Sequence, residues 1–308
     1  MVVRARLALS SPRAIVTGAS GQDGSYLTEL LSRRGYEVRG VDRGDVDLLD
    51  SAAVAGLVRD VAPREIYNLA SPSFVPASWD EPVEIARLVA VGLTVLLEAL
   101  REVDPAIRLF QASSAEVYGV PAETPQSEDT PIRPVSPYGA AKAYGNFIVA
   151  AYRLRHGLHA GCRILYNHES PRRSADFLPS KVAQGVAAIA AGRQRELVLG
   201  DLHAQRDWGY APDYVEAMWL MLQQDEPGDY VVATGELHTV QELVELAFER
   251  VGLDWRDYVR VDESLRRGQD YQLVGDASKA RDRLGWRPTV GFEELVALLV
   301  DAAREQGA

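Results

Sequence analysis

The sequence predicts an α/β protein, a doubly wound parallel sheet with a smaller C-terminal mixed α/β domain. Apolar segments of strand length alternate with helix-like segments through the first half of the chain, a pattern typical of a parallel sheet covered by helices on both faces. A glycine-rich turn joins the first of these strands to the first helix. The chain has 308 residues, 47% of them hydrophobic, so it can bury a substantial core.

The glycine-rich turn indicates a dinucleotide site. A strand over Ala14–Thr17 runs into glycines at positions 18, 21 and 24, and a helix is predicted over Ser25–Arg34. Glycines at this spacing let the backbone approach a pyrophosphate that lies against the positive end of the helix, and the last one allows close packing of helix and strand. A bare glycine motif is weak, but its place at the start of an alternating chain favours dinucleotide binding over a structural turn.

The end of the second strand carries an acidic residue. The strand is predicted over Glu37–Val41, and Asp42 follows it about twenty residues after the glycines. A carboxylate there can accept hydrogen bonds from the adenosine ribose hydroxyls and would repel a 2′-phosphate, whereas the neighbouring Arg43 has the opposite effect. The stretch 46–50 follows so soon that any third strand would be very short.

The remaining elements are predicted from apolar periodicity and from capping residues. The predicted strands are Glu65–Ala70, Arg108–Ala112, Arg163–Tyr166, Leu197–Leu199 and Tyr230–Ala233. The predicted helices are Ser51–Val61, capped by Ser51, then Pro82–Glu102, one that starts near Tyr138, Asp176–Gly192, Asp213–Gln224, Val240–Val251, Asp276–Leu284 and Phe292–Glu305. The proline-rich stretch 121–137 is predicted to be a loop at the cleft.

Composition excludes several function classes. The net charge of −11 argues against nucleic acid or an anionic membrane as the main partner, since both need a basic surface. No apolar run reaches the roughly 18 residues of a membrane helix. The single Cys162 rules out an intramolecular disulfide and a cysteine metal cage, and it fits a reducing cytoplasm. No second histidine or cysteine stands at ligand spacing from His168 and Glu169, so no metal site is expected.

Three polar groups are predicted to meet at the carboxyl edge of the sheet. Ser114 and Glu116 follow the strand that begins at Arg108, and the helix carrying Tyr138 comes next. Ser114 would donate a hydrogen bond, Glu116 would act as acid or base, and Tyr138 would act as the base. Taken singly, a turn hydroxyl and a solvated loop carboxylate are equally good interpretations of Ser114 and Glu116.

Tyr138 and Lys142 lie four residues apart, on one face of a helix that Ser136 caps and Pro137 begins. A phenol alone has a pKa near ~10, but an ammonium beside it that favours the phenolate by ~3 units would make it a usable base. The ordinary alternative is a packed tyrosine and a solvated lysine. Because the chain has only three lysines, a chance Tyr-x-x-x-Lys is rare here.

Several motifs together resemble a known family. Thr17–Gly24, Ser114 and Tyr-x-x-x-Lys look like a Rossmann domain of the extended short-chain dehydrogenase/reductases, most of which act on nucleotide sugars. Longer strings resemble the GDP-mannose 4,6-dehydratase family from about Ala14 to the end of the chain, and Asn167–Arg173 is specific to it. These strings are Gly21-Gln-Asp-Gly-Ser-Tyr26, Tyr67-Asn-Leu-Ala70, Gln111-Ala-Ser-Ser-Ala-Glu-Val-Tyr-Gly119, Ser136-Pro-Tyr-Gly-Ala-Ala-Lys142, Asn167-His-Glu-Ser-Pro-Arg-Arg173, Arg206-Asp-Trp-Gly209 and Asp213-Tyr-Val-Glu-Ala-Met-Trp-Leu-Met-Leu222.

The resemblance implies a role for each group of residues. Residues 1–166 and about 207–236 would bind the nicotinamide cofactor, and 167–206 with 237–308 would bind the nucleotide sugar. Ser114, Glu116 and Tyr138 take the catalytic positions, with Lys142 in support. Substrate contacts fall on Asn167, Lys181, Arg206 and Arg267. Cofactor contacts fall on Gly18, Ser20, Gly21, Gln22, Asp23, Gly24, Asp42, Arg43, Asp47, Leu48, Leu69, Ala70, Ser71, Ser73, Lys142, His168 and Arg173.

The chain departs from the family pattern after its second strand. The family usually has an arginine pair that grips the 2′-phosphate of NADP, then a long loop that joins subunits, whereas here Asp42 replaces one arginine and the loop is short. The resemblance implies NADP, but these changes make NAD a candidate and a loop-built tetramer doubtful. A homodimer formed by the helices near Ser78 and Tyr138 is the expectation. Other departures are Pro72 for Gln, Glu84 for Tyr and Ser180 for Arg.

Two alternatives stay open. A GDP-4-keto-6-deoxymannose reductase of the same family group would use Ser114, Tyr138 and Lys142 to reduce a ketone, and a non-catalytic dinucleotide sensor would use the fold for binding alone. The Asn167–Arg173 string favours the dehydratase over the reductase. The presence of both Tyr138 and Lys142 disfavours the sensor. Which hexose and which nucleobase are bound stays open, as does the pathway.

Overall fold

A six-stranded parallel sheet forms the centre of the computed structural model, which describes residues 11–265 and 271–307. Its spatial order is β10-β5-β4-β3-β1-β2, and all five neighbouring pairs are parallel. The strands of this sheet are β1 Arg13–Thr17, β2 Glu37–Val41, β3 Glu65–Asn68, β4 Arg108–Ser114, β5 Ala160–Leu165 and β10 Tyr230–Val232. The predicted α/β class and parallel sheet are confirmed.

Three two-stranded sheets, with orders β6-β9, β12-β7 and β11-β8, complete the strand set of the described residues. Their strands are β6 Asn167–Glu169, β7 Leu197–Leu199, β8 Gln205–Arg206, β9 Trp208–Tyr210, β11 His238–Thr239 and β12 Val259–Val261. They belong to the second half of the chain, where the sequence predicts small strands mixed with helices.

Helices cover both faces of the large sheet and pack around the small ones. Their bounds are α1 Gln22–Arg33, α2 Ser51–Val61, α3 Pro82–Ala86, α4 Gly92–Val103, α5 Pro137–His156, α6 Leu178–Ala190, α7 Ala211–Leu222, α8 Val240–Glu249, α9 Ser278–Leu284 and α10 Phe292–Gln306. Short 3-10 helices occupy Val75–Trp79, Ala115–Val117, Trp255–Asp257 and Glu263–Leu265. No helix among the described residues is long and apolar enough to cross a membrane.

The short segment after β2 contains no strand. Residues 42–50 form turns and coil, so even the very short third strand that the sequence allowed is missing, and β2 is an edge strand of the sheet. The cap of α2 also differs from the prediction. The carboxylate of Asp50, not the hydroxyl of Ser51, accepts the backbone N–H groups of Ala52 and Ala53. Aspartate caps this turn well because a short carboxylate reaches both amides.

The long helix predicted over Pro82–Glu102 is continuous but irregular. A π-helical turn over Arg87–Val91 separates α3 from α4, and its capping residues on both sides have ordinary helical dihedrals. π-turns of this kind often occur at functional sites because they shift the side chains on one side of the helix. Here Leu88 lines a pocket at the end of β2.

Each of the two faces of the large sheet has its own hydrophobic core, and a further core lies with the smaller sheets. One face packs on α1, α7 and α9 with buried residues such as Leu27, Tyr214 and Met218, and the other packs on α2 and α4 with residues such as Val54 and Leu97. A further core joins α6, α8 and α10 to β7 and β12. The sheet edge where β1, β3, β4 and β5 end lies between these cores, and it holds the candidate site.

Candidate active site

The glycine turn after β1 has a backbone conformation and close contacts that favour glycine. Gly18 has a φ of 69°, and its N–H donates to the Val41 carbonyl at the end of β2. A Cβ on Gly24 would lie 2.1 Å from the Gly18 carbonyl oxygen, so α1 packs directly on the turn. Gly21 is the N-cap of α1 with an extended backbone. The turn thus leaves the helix N-terminus open to a ligand, as the sequence predicts.

Two adjoining pockets meet at this turn and share Gly18 and Ser71. The first lies where β1, β3, β4 and β5 end, and the second where β1, β2 and β3 end. The chain switches from one side of β1 to the other at this point, which is the usual place for a dinucleotide in such sheets. Of the predicted residues, the first pocket is lined by Gly18, Gly21, Gln22, Asp23, Gly24, Leu69, Ser71, Ser73, Ser114, Tyr138, Lys142, Asn167, His168 and Arg173. The second is lined by Gly18, Asp42, Arg43, Asp47, Leu48, Ala70 and Ser71.

The carboxylate of Asp42 closes the second pocket towards the glycine turn. Both of its oxygens accept the backbone N–H of Ser20, at 3.3 and 3.2 Å. Its own N–H donates to the carboxylate of Asp45 at 2.9 Å, which fixes the turn after β2. Ser20 therefore does not line a pocket itself but orients the acidic residue that does.

A chain of hydrogen bonds runs beneath both pockets across three strand ends. The Thr17 hydroxyl donates to the Asn68 side-chain carbonyl at 2.6 Å, and the Asn68 amide donates to Gln111 at 2.6 Å. Gln111 in turn donates to the Ala112 carbonyl, which also accepts the ammonium of Lys142 at 3.0 Å. These buried groups hold β1, β3 and β4 in register and direct Lys142 into the pocket floor.

The three predicted catalytic groups come together at the start of α5. The side chains of Ser114 and Tyr138 are hydrogen-bonded, and the charge of Glu116 is close enough to act on Tyr138. Tyr138 is buried and Glu116 is half-buried. A Cβ on Gly139 would lie 2.6 Å from the Glu116 carbonyl oxygen, so glycine there lets the Glu116 turn pack on the helix. Ser136 caps the helix by accepting the Gly139 N–H at 3.0 Å, as predicted.

The predicted effect of Lys142 on the phenol is wrong for the protein without a ligand. Burial raises the pKa of Tyr138 to about 12, although its hydrogen bond to Ser114 opposes the shift. Burial also lowers the pKa of Lys142 to about 8. The reason is that the ammonium is bonded to the Ala112 carbonyl and lies 5.6 Å from the centre of the tyrosine ring, so the loss of water outweighs its attraction for a phenolate.

His168 joins the smaller region to the glycine turn. Its Nε2 lies 2.8 Å from an oxygen of Asp23, and its Nδ1 lies 2.7 Å from the Tyr166 carbonyl oxygen. A carbonyl can only accept, so Nδ1 must carry a proton. The Gln22 amide and the first turn of α1 stabilise an ionised Asp23, which then accepts a proton-bearing Nε2. Both ring nitrogens are donors, and His168 is an imidazolium.

The pKa shifts of this pair agree with the geometry. Burial tends to raise the pKa of Asp23, but the adjacent imidazolium and its hydrogen bond bring it below the usual value. Burial likewise tends to lower the pKa of His168, and the Asp23 carboxylate raises it overall. The imidazole ring also stacks on Tyr214, with centroids 4.6 Å apart.

Arg173 brings a second positive charge to the first pocket. Its guanidinium lies 3.5 Å from the centre of the Phe177 ring, and its Nε is 3.5 Å from the buried carboxylate of Glu169. That Nε has no hydrogen-bond partner among the described residues. Burial raises the pKa of Glu169, and Arg173 opposes this. The cation is therefore anchored from behind and available to an anion in the pocket.

The predicted substrate residues are only partly at these pockets. Asn167 lines the first one. Lys181 donates to the Val198 carbonyl at 3.0 Å, and Arg206 donates to the Gln205 carbonyl at 2.6 Å; both lie in the part of the chain with the small sheets. Arg267 lies outside the described residues. Lys181 and Arg206 therefore do not belong to the dinucleotide pockets.

These features fit a nicotinamide dinucleotide. A side chain at Gly18 or Gly24 would fill the space beside the turn, and the first pocket is lined by two cations, the buried His168 and the half-buried Arg173. Sequence reasoning missed Val75, Ala112, Ser113, Leu165 and Tyr166 as residues that line the first pocket. Ala112 and Ser113 stand inside the Gln111–Gly119 string, and Tyr166 precedes the Asn167–Arg173 string, so the motifs pointed to the right places.

Comparisons with known proteins identify relatives over most of the chain. A family model described as GDP-mannose 4,6 dehydratase matches residues 15–46 and 44–299. The junction of the two pieces lies at 44–46, within the short segment after β2. GDP-mannose 4,6 dehydratase 1 of Arabidopsis thaliana is 45% identical over 320 residues, covering 94% of this chain and 88% of that protein. GDP-mannose 4,6 dehydratase of Homo sapiens is 41% identical, covering 96% and 92%.

Solved structures with the same fold include nicotinamide complexes. UDP-glucose 4-epimerase of Thermus thermophilus, in complex with NAD, superposes with a TM-score of 0.82 at 30% identity and covers 95% of this chain and 99% of that one. RMD from Pseudomonas aeruginosa, complexed with NADPH, has a TM-score of 0.87 and covers 96% and 100%. At 23% identity the second likeness shows the fold alone. The resemblance predicted from the motifs is confirmed.

Proposed function

The chain belongs to the GDP-mannose 4,6-dehydratase family, and from this premise we propose that it removes one water from GDP-mannose to give the 4-keto-6-deoxy sugar. The reaction class is that of a hydro-lyase with a nicotinamide cofactor. The observation that carries the assignment is that Ser114 and Tyr138 line the pocket that the glycine turn opens, while Glu116, which is not among the residues lining it, lies close enough for its charge to act on Tyr138.

In the first half of the reaction, the protein handles the proton of the sugar 4-hydroxyl. Tyr138 accepts this proton while Ser114 holds the same oxygen, and both groups already share a hydrogen bond. The bound nicotinamide supplies a hydride acceptor for C4 and later a hydride donor for C6, and its positive ring when oxidised favours the phenolate. Lys142 adds its positive charge from the pocket floor.

In the second half, Glu116 carries out the elimination. The 4-ketone acidifies the C5 proton, so the Glu116 carboxylate can remove it and then give a proton to the departing C6 hydroxyl. A half-buried position suits this double role, since the carboxylate is partly shielded from bulk water. Return of the hydride to C6 would leave C5 in need of a proton, and the proton that Tyr138 took from the 4-hydroxyl balances it, so the chain regains its starting state.

We propose NAD as the preferred cofactor. The support comes from Asp42, whose carboxylate is fixed at the second pocket by the Ser20 N–H and can accept the ribose hydroxyls. A 2′-phosphate at the same place would face Asp42 and Asp47, two of the described residues that line this pocket. Dissociation constants for NAD and NADP test this, and a strong preference for NADP would contradict it.

The GDP moiety is proposed to bind beyond the first pocket, in the region of the small sheets. Lys181 and Arg206 supply positive charge there, and Asn167 lies between the two regions. This supports a division into a cofactor domain, 1–166 with about 207–236, and a substrate domain, 167–206 with 237–308. Arg267 stays a prediction from the resemblance. The buried free Cys162 is consistent with work in the cytoplasm.

A panel of NDP-hexoses tests the activity directly. The protein is incubated with each sugar, and mass spectrometry detects a product one water lighter. We expect this product from GDP-mannose, with no net change in the near-ultraviolet absorbance of reduced nicotinamide. A reductase would instead consume one reduced cofactor per turnover of the keto sugar, and a dinucleotide sensor would bind cofactor without turnover of any sugar.

A homodimer is proposed through the outer faces of α3, α4 and α5. These helices pack side by side, with a hydrogen bond between Thr94 and Tyr144 at 2.8 Å. Large apolar side chains are exposed on them at Val83, Val91 and Phe147, the last to 62%. A surface of this kind is typical of protein interfaces.

Light scattering after size exclusion tests the dimer. Wild-type protein is expected at the mass of two chains, and Phe147→Glu at the mass of one, because a carboxylate would be buried without a partner. Leu154→Glu tests the far end of the same helix, where 89% of the side chain is exposed. A wild-type monomer would contradict the proposal.

A further inference from the structure

Arg43 is the only cationic side chain among the described residues that line the pocket at the end of β2. Its side chain is 81% exposed, and its Nη2 lies 3.0 Å from an oxygen of Glu84. The side chain of Glu84 is 33% exposed. The pocket's one cation is thus held by a carboxylate that does not itself line the pocket.

Glu84 has a fixed place at the mouth of this pocket. It belongs to α3, which is continuous with the π-helical turn that contains Leu88. Leu88 lines the pocket, and residues about one turn apart share a helix face, so Glu84 faces the same side. The turn that carries Arg43 is equally fixed, since the Asp45 N–H donates to the Asp42 carbonyl at 2.9 Å.

We propose that Glu84 is a specificity-determining residue that rejects the 2′-phosphate of NADP by holding Arg43 and by adding negative charge beside it. The proposal deepens the proposed function and rests on it only in that the pocket takes the adenosine end of a nicotinamide dinucleotide. Asp42 occupies the ribose side of the pocket, and Glu84 removes the cation that could compensate for Asp42. The two carboxylates act on the same phosphate from different elements.

The exposure of the Arg43–Glu84 ion pair limits how much Glu84 can change the affinity for NADP. Ion pairs at exposed sites are weak, and a 2′-phosphate carries between one and two negative charges near neutral pH. Neutralising Glu84 frees Arg43 and removes one repelling charge, so NADP should bind roughly threefold to tenfold more tightly. NAD has only a hydroxyl at this position, so its affinity should change by less than about twofold.

The test measures cofactor binding without any sugar. Dissociation constants for NAD and NADP are determined by titration calorimetry for wild-type protein, Glu84→Gln, Arg43→Gln and the double variant. Glu81→Gln is the matched control, because Glu81 is exposed and caps the same helix. Thermal melting of each variant establishes that it is folded.

We expect Glu84→Gln to tighten NADP binding and Glu81→Gln to leave it unchanged within about twofold. In the Arg43→Gln background the gain from Glu84→Gln should be smaller, because only the removal of the repelling charge then contributes. Added salt should weaken the gain. Unchanged NADP affinity in Glu84→Gln, an equal gain in Glu81→Gln, or a gain from Glu84→Gln that is just as large without Arg43 would each overturn the proposal. A wild-type preference for NADP would contradict the NAD assignment, but the change in NADP affinity from wild type to Glu84→Gln would still test the role of Glu84.

Discussion

Tyr138 and Lys142 are both buried at the candidate site. Burial raises the pKa of Tyr138 to about 12 and lowers the pKa of Lys142 to about 8, which reverses the usual order of the two groups. Each shift favours the neutral form because each charged form has lost its water. Tyr138 is therefore a protonated phenol in the protein without ligands near neutral pH. A bound oxidised nicotinamide would add positive charge beside Tyr138 and so favour its phenolate.

Glu116→Gln should separate the two halves of the reaction. The amide cannot remove the C5 proton, so release of 4-keto-6-deoxy sugar should fall by about 10²- to 10⁴-fold, whereas cofactor binding should not change. Mass spectrometry of the product and calorimetry with NAD measure the two effects. Glu249→Gln, a change at an exposed residue of α8, is the control. A Glu116→Gln protein that works at the normal rate would refute the assignment of the acid and base.

The ion pair of His168 with Asp23 makes part of the free energy of unfolding depend on pH. The pKa of His168 is raised in the folded protein by Asp23, so this contribution is complete below the unfolded value near ~6.5 and is lost as pH rises through the folded value. The pKa of Asp23 is lowered in the folded protein, so the stability that its ionised carboxylate contributes is lost as pH falls through the folded pKa of Asp23. Glu169 at the end of β6 and Arg173 in the turn that follows carry opposite charges close to the pair and partly offset each other.

Asp23→Asn should therefore destabilise the protein by about 2 kcal/mol when His168 is charged and by less when it is neutral. Chemical denaturation of wild type and variant over a pH series measures the difference in the free energy of unfolding. Asp60→Asn, at an exposed position of α2, is the control. A difference that stays constant while the pH crosses the folded pKa of His168 would show that the ring is not an imidazolium.

Motifs predicted the positions of these residues but not their ionisation. The residue types and their spacing are local, and they placed Ser114 and Tyr138 at one pocket. The behaviour of Lys142 depends on the Ala112 carbonyl, thirty positions away in sequence, and the charge on His168 depends on Asp23. Such contacts exist only after the strands have aligned, so no periodicity in the sequence contains them.

The proline-rich loop, residues 121–137, is held to neighbouring elements by hydrogen bonds. Gln126, which is fully buried, accepts the Tyr166 hydroxyl and the Val274 N–H and donates to the Gln272 carbonyl. Its backbone also pairs with Val274 and Asp276. One side chain thus joins the loop, the end of β5 and the segment that precedes α9. The sequence predicts a loop here, but these long-range bonds are not visible in it.

Gln126→Ala should lower the free energy of unfolding by about 2 to 4 kcal/mol, because Tyr166 and Val274 would keep buried polar groups without partners. Urea denaturation measures the loss. Gln194→Ala is the control, since Gln194 is exposed and bonds only to a nearby carbonyl among the described residues. An equal effect of the two changes would mean that the Gln126 bonds do not stabilise the fold.

Helix and strand bounds were predictable where local chemistry sets them. Ser136 and Pro137 begin α5, and Gly157 ends it with a φ of 67°. The π-turn after α3 was not predictable, since an apolar stripe does not distinguish an α-turn from a slightly wider one. The missing strand after β2 follows from a segment too short and too acidic to pair, with Asp42, Asp45 and Asp47 all bonded to nearby backbone or pocket atoms.

For the whole molecule, one buried carboxylate links the small sheets to the large one. Asp207 accepts the backbone N–H groups of Thr234, Gly235 and Gly275, all within 3.2 Å. Thr234 follows β10 of the large sheet, and Asp207 lies between β8 and β9. These bonds keep the region with Lys181 and Arg206 at a set position relative to the cofactor pockets, which a transfer between cofactor and sugar requires.

The most direct test of the central claim follows a label through one turnover. GDP-mannose carrying deuterium at C4 is incubated with the enzyme and its cofactor, and the product is examined by mass spectrometry and NMR. We expect a product one water lighter that retains the deuterium at C6, with no accumulation of reduced nicotinamide. Loss of the deuterium from the sugar, or reduced cofactor formed in proportion to product, would contradict an internal 4,6-dehydration by Ser114, Glu116 and Tyr138.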